Sequence, residues 1–128
     1  MIVVDASAFV DALVGEGRAV DRLTGEELAA PHLVDAEVGN ALRKKVLAGD
    51  LSPALGEAAI HDLAALEFLR WEHVELLPRA WELRQNVTIY DGIYVALAEL
   101  LDAPLVTLDA RLAGLRGARA TVEVIGAD

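Results

Sequence analysis

Short apolar runs alternate with amphipathic stretches along the whole chain. Ile2-Val3-Val4 gives way to Asp5 and reads as a strand buried on both faces, as strands of parallel sheets are. Ser7 to Val14 predicts a helix stopped by Gly15 and Gly17, Arg18 to Leu23 a second short helix, and Leu28-Ala29-Ala30 before Pro31 another strand. Val34 to Ala48 carries Val34, Val38, Ala41 and Leu42 on one side and ends at Gly49, the pattern of an amphipathic helix. Ser52-Pro53 offers a capping hydroxyl followed by Pro in the first turn. The helix it opens is expected to run to about Arg70, with Leu55, Ala59, Leu63, Leu66 and Leu69 as its apolar stripe. Val74-Glu75-Leu76 is expected as a short strand and Pro78 to Gln85 as a helix; Thr88 caps a helix through Leu101. Leu105 to Leu108 is a strand ending at Asp109, Ala110 to Leu115 a short helix, and Val122 to Ile125 the last strand. Strands alternating with helices predict an α/β fold, a three-layer α/β/α sandwich around a mainly parallel sheet.

Composition narrows the chemistry. With 128 residues, 55 % of them apolar, residues 1–128 are expected to form one domain with its own core. No cysteine is present, so disulfides, thiolate metal sites and cysteine nucleophiles are excluded. The longest apolar run, Ile93 to Ala98, is far below the roughly 20 residues that span a bilayer. The first residues lack the pattern of a signal peptide, so a cytoplasmic location away from membranes is expected. Eleven Lys and Arg against 21 Asp and Glu give a net charge of -10, which opposes a simple electrostatic grip on nucleic acid.

Four acids stand out by position. Asp5 and Asp109 each follow an apolar strand, Glu37 lies in the first turns of the third helix, and Asp91 opens the helix after Thr88. In a parallel sheet, strand ends and the helix starts that follow them share one edge, where ligands bind. Two like charges about 4 Å apart repel by roughly 4 kcal/mol at an effective dielectric near 20. Four together require a cation or retained protons, and a set of oxygen donors without cysteine favours a hard ion such as Mg²⁺ or Mn²⁺. Taken singly, each acid reads equally as a helix cap or a first-turn acid.

Met1-Ile2-Val3-Val4-Asp5-Ala6-Ser7-Ala8, Pro31 through Glu37-Val38-Gly39-Asn40-Ala41-Leu42, Tyr90-Asp91-Gly92-Ile93-Tyr94-Val95-Ala96-Leu97-Ala98 and Leu105-Val106-Thr107-Leu108-Asp109 together resemble the four blocks of PIN-domain ribonucleases. Within that family the chain is most similar to the VapC toxins of toxin–antitoxin pairs. The resemblance spans nearly the whole chain and implies Mg²⁺-dependent (or Mn²⁺-dependent) hydrolysis of RNA phosphodiester bonds. It implies an acidic site of Asp5, Glu37, Asp91 and Asp109, with Asp5, Asp91 and Asp109 on the metal and Glu37 on the attacking water. Ser7, Asn40 and Thr107 match polar positions that aim the carboxylates. A homodimer and a cognate antitoxin are implied as partners.

An acidic chain that holds RNA needs local cations. Arg43, Lys44 and Lys45 follow Glu37, and Arg111, Arg116 and Arg119 follow Asp109; Arg43, Lys44 and Arg111 are the leading phosphate contacts, against the alternative of ordinary surface ion pairs. His32, His61 and His73 lack paired spacing and read as structural or exposed. A receiver domain would need a late lysine, whereas the lysines here are Lys44 and Lys45. A haloacid-dehalogenase-type phosphatase would need Asp where Ser7 stands. The remaining alternatives are a PIN-like binding or scaffold module of weak activity and a PIN nuclease of RNA processing. The helix after Pro53 also shows apolar residues on a second side (Ile60, Ala64, Phe68), so it must bury two faces, one of them against the rest of the domain or against a partner.

Overall fold

The computed structural model describes residues 1–126. Five parallel strands, β1 (Ile2–Val4), β2 (Leu28–Pro31), β3 (Leu69–Trp71), β4 (Leu105–Thr107) and β5 (Val122–Val124), form a sheet in the order β3-β2-β1-β4-β5. Six helices connect them: α1 (Ala6–Val14), α2 (Val20–Leu23), α3 (Leu33–Leu47), α4 (Pro53–Ala65), α5 (Leu77–Glu82) and α6 (Ile89–Leu101). Right-handed crossovers running outward to β2 and β3, then back to β4 on the other side of β1, place the two sets of helices on opposite faces. Accordingly α1, α3 and α4 pack on one another, while α5 packs on α6 and α6 lies along β1 and β2. The expected three-layer α/β/α arrangement is the observed one.

Local chemistry sets most boundaries. The side chains of Asp5, Ser52 and Thr88 each accept a hydrogen bond from the third residue on, from Ala8, Leu55 and Asp91, and so cap α1, α4 and α6. The central strands are buried on both faces, and Phe9 of α1 is 1 % exposed beneath them. Burial of a side chain of that size contributes about 1.5–3 kcal/mol. On the outer strand β5, Glu123 receives two hydrogen bonds from the Arg22 guanidinium of α2, at 2.7 and 3.1 Å.

Three expectations are corrected between residues 66 and 76. The helix from Pro53 stops at Ala65 instead of running to Arg70, because residues 69–71 leave it to pair with β2 in the register Ala29↔Leu69, Ala30↔Arg70 and Pro31↔Trp71. Its buried side is Gly56, Ala59 and Leu63, leaving Leu55, Leu66 and Leu69 exposed. Phe68 is therefore not on the helix; its ring lies 5.0 Å from that of Phe9, under the Arg70 guanidinium. Val74–Leu76 is a 3₁₀ turn leading into α5, and the expected helix after Asp109 is likewise one 3₁₀ turn, Ala110–Leu112.

The α5–α6 contact depends on Gly92. A Cβ on Gly92 would stand 3.1 Å from the backbone of Ala80, tighter than ordinary van der Waals packing. Gly92→Val should lower folding stability by about 1–3 kcal/mol by overpacking, measured as a shift in the urea midpoint at unchanged slope.

Candidate active site

The strand order reverses at β1, whose neighbours β2 and β4 are reached by crossovers of opposite direction. The crevice beyond the carboxyl ends of β1 and β4 is thus the topological switch point of the sheet. Asp5 and Asp109 lie just past those ends. The register Val3↔Leu105 and Val4↔Val106, prolonged by the Asp5 amide donating to the Val106 carbonyl at 3.2 Å, brings Asp5 level with Thr107.

Asp5 is 6 % exposed and is held on every side. Ser7 Oγ donates to its Oδ1 at 2.6 Å, Thr107 Oγ1 donates to its Oδ2, and the Ala8 amide donates to Oδ1 at 3.1 Å. Each hydroxyl also accepts from β4's exit: the Leu108 amide donates to Ser7 at 2.9 Å and the Asp109 amide to Thr107 at 2.9 Å. Burial pushes the Asp5 carboxyl above the usual carboxylate range, against these hydrogen bonds and with the charge of Asp109 adding to the rise.

Glu37 and Asp91 are half-buried and are raised for the same primary reason, burial. Asp91 and Asp5 repel the Glu37 charge, and Asp109 and Asp5 repel that of Asp91. Tyr94, one helical turn after Asp91, donates its hydroxyl to Glu37 Oε1 at 2.6 Å and so links α6 to α3 across the strand ends. Burial, followed by that bond to Glu37, keeps the phenol neutral.

Asp109 differs. The Arg111 guanidinium donates to both its oxygens at 2.6–3.1 Å, and the Arg111 amide adds a bond of 2.9 Å. This partner, first of all, holds the Asp109 carboxyl below its ordinary value. As the side chains stand, no three His, Asp or Glu groups among the described residues converge closely enough to enclose a cation. In kind, the donors fit a hard divalent ion: beyond the effect of burial, the Asp5 charge raises both Glu37 and Asp91, the Asp109 charge raises Asp5 and Asp91, and a cation relieves that repulsion.

The structure thus brings together Asp5, Glu37, Asp91 and Asp109 electrostatically, and Ser7 and Thr107 by hydrogen bonds. Asn40 is not brought in: it is exposed, and its amide has no hydrogen-bond partner among the described residues. Arg43 and Lys44 are exposed on α3, and Arg111 is engaged with Asp109. His61 is exposed beside Glu57, and His32 is exposed at the start of α3. Sequence reasoning missed Tyr94, although its spacing of three from Asp91 puts it on the same side of α6.

The folded chain holds the Asp91 proton more tightly than the unfolded chain does. Its charged form therefore costs stability at neutral pH, a cost that disappears as the pH falls through the raised pKa towards the ordinary 3.8. Without divalent cations, Asp91→Asn should melt a few degrees above the unsubstituted chain at pH 7. The difference should close as the pH approaches about 4, read from melting curves of both chains across that range.

Known proteins resemble this chain over most of its length. A family model of the PIN domain matches residues 2–118. The chain is similar to Ribonuclease VapC1 of Mycobacterium tuberculosis, at 46 % identity over 128 residues covering 96 % of each chain. It is similar to Ribonuclease VapC9 of the same organism, at 42 % identity over 125 residues covering 98 % of each. Among solved structures, PAE2754 from Pyrobaculum aerophilum matches with a TM-score of 0.70 at 29 % identity, over 96 % of this chain and 83 % of that one. An acidic switch-point site, a family model over most of the chain and relatives of its own length agree: the chain belongs to the PIN domain family, among the VapC ribonucleases.

Proposed function

We propose that the chain is an endoribonuclease that hydrolyses RNA phosphodiester bonds with a divalent cation, Mg²⁺ or Mn²⁺, as the toxin of a toxin–antitoxin pair. The observation that carries this reading is the set of mutually repelling carboxylates, Asp5, Glu37 and Asp91, at the switch point of a chain 46 % identical to a ribonuclease. Asp5, Asp91 and Asp109 are the residues that would hold the ion. When bound, a divalent cation brings positive charge to the scissile phosphate and acidifies the attacking water.

The chain's own residues do the rest. Ser7 and Thr107 fix both oxygens of Asp5 in one orientation, so no rotamer search is needed when a ligand arrives. Glu37 is held by Tyr94 through one oxygen, Oε1. Its raised pKa makes it a better proton acceptor than an exposed glutamate, which suits it to orient the water and take its proton. Arg111 neutralises Asp109 in this structure and is placed to turn towards a phosphate once Asp109 is engaged otherwise.

Mixed cellular RNA incubated with the purified chain should be cut only when Mg²⁺ or Mn²⁺ is present, leaving 5′-phosphate ends. Asp5→Asn and Asp91→Asn should reduce cutting to background, and Thr107→Val should slow it about 10–100-fold by releasing Asp5. Equal cutting by all four chains would remove the acids from the site. No cutting by any chain would favour the binding-module alternative.

Family membership brings a homodimer and a cognate antitoxin as proposed partners. No helix among the described residues is long and apolar enough to cross a membrane. Leu47, Leu55 and Ile60 are exposed on α3 and α4, where a groove of about 260 Å³ runs between Leu42, Val46, Leu47, Gly56 and Ile60. We assign this groove, rather than Phe68, to the partner surface. Ile60→Asp, on an exposed side chain, should leave the melting temperature within about 2 °C. The same substitution should lower the solution mass measured by light scattering, or weaken antitoxin capture. An unaltered mass together with unaltered capture would clear this face of the role.

A further inference from the structure

Two clefts open beside the acidic centre. The larger, about 520 Å³, reaches Ser7 and Leu108 and is bounded by apolar side chains, by Lys45, and by Arg18 paired with the carboxylates of Asp11 and Glu16. The second, about 430 Å³, shares Asp91 and Arg111 with the centre and is otherwise bordered by Arg84, Gln85, Asn86 and Thr88. Its volume lies within the range of sites that hold a small organic ligand, and Val87 and Leu112 add apolar surface to its polar lining.

Arg84 is the distinctive group there. In a chain of net charge -10, it has no carboxylate within 4 Å among the described residues, whereas Arg22, Arg70, Arg79 and Arg111 all do. Its position is nevertheless defined. The guanidinium lies 4.8 Å from the centroid of the Trp81 ring, and Nη1 donates to the Trp81 carbonyl at 3.0 Å. A guanidinium has five N–H donors, so most of its capacity is left for a ligand. Trp81 is 59 % exposed and presents an aromatic surface beside it. Asn86 spends its Nδ2 on the Arg116 carbonyl at 3.2 Å and so braces the wall, while Gln85 is exposed and carries both a donor and an acceptor.

A fixed cation, braced on the Trp81 ring outside the cleft, and a free amide in the cleft wall match two parts of a nucleotide: phosphate and base edge. A paired base cannot enter such a cleft without leaving its stack, whereas an unpaired one can. We propose that this cleft binds one unpaired ribonucleotide next to the scissile bond, with Arg84 on its phosphate and Gln85 on its base. The inference rests on the nuclease reading.

The test uses the full chain in an Asp5→Asn background, so that binding is read without cleavage, and a labelled mixed-sequence single-stranded oligoribonucleotide as probe. Arg84→Ala should weaken binding about tenfold and flatten the dependence of log affinity on log salt by about 0.7, the share of one phosphate contact on a single strand. Arg84→Lys should restore that slope. Gln85→Ala should weaken binding without changing the slope. In the active chain, Arg84→Ala should raise KM for the same RNA about tenfold. A duplex of the same sequence should bind less tightly than the single strand. Unchanged affinity, slope and KM in Arg84→Ala would overturn the nucleotide site, as would equal binding of duplex and single strand. An active chain that cuts no RNA with Mg²⁺ or Mn²⁺ would instead overturn the nuclease reading, and the nucleotide site with it.

Discussion

The site hangs on the hydrogen bonds that two hydroxyls donate to one buried carboxylate. Asp5 joins the ends of β1 and β4 through Ser7 and Thr107, and each hydroxyl also accepts a backbone amide from the residues leaving β4. A buried carboxylate without such donors would carry a large desolvation cost, and hydroxyls without an acceptor would carry a smaller one. Each therefore makes the other tolerable. The arrangement also depends on register, because sliding β4 by one residue would turn Thr107 to the opposite face and leave Asp5 without one of its donors. The carboxylate is in this sense a test of correct strand pairing as well as a functional group.

Where structure follows from nearby residues, it was legible in the sequence. Asp5, Ser52 and Thr88 cap helices through bonds to the third residue on, and the apolar runs at Ile2, Leu105 and Val122 are the strands. Residues 66–76 were not legible, for two different reasons. Leu63, Leu66 and Leu69 continue a helical spacing, yet Leu69 is claimed by Ala29, a partner 40 residues earlier that no local pattern reveals. Val74-Glu75-Leu76 alternates like a strand, but Pro78 lies too near for the chain to do anything except turn into α5.

The site divides in the same way. The four acids were visible because strand ends and helix starts are local features. Tyr94 was overlooked because what gives it meaning, Glu37, lies 57 residues away and on another helix. Arg111 attracts attention by its charge, and in this structure it is occupied by the nearest carboxylate, two residues back. Asn40, which matches a motif position, stands exposed on α3 with its amide free of the carboxylates. Charge identifies the candidates, and geometry decides which of them are already occupied.

The outer strand β5 also bears on how the molecule behaves in a crowded solution. An edge strand offers unpaired amides and carbonyls on which another chain can assemble, the first step towards sheet-to-sheet aggregation. Here Glu123 puts a carboxylate in the middle of a three-residue strand, and Arg22 covers that carboxylate with a guanidinium. An incoming strand would have to displace the pair before it could lengthen the ladder. The pair thereby gives this edge of the sheet a charged guard against backbone addition by another chain.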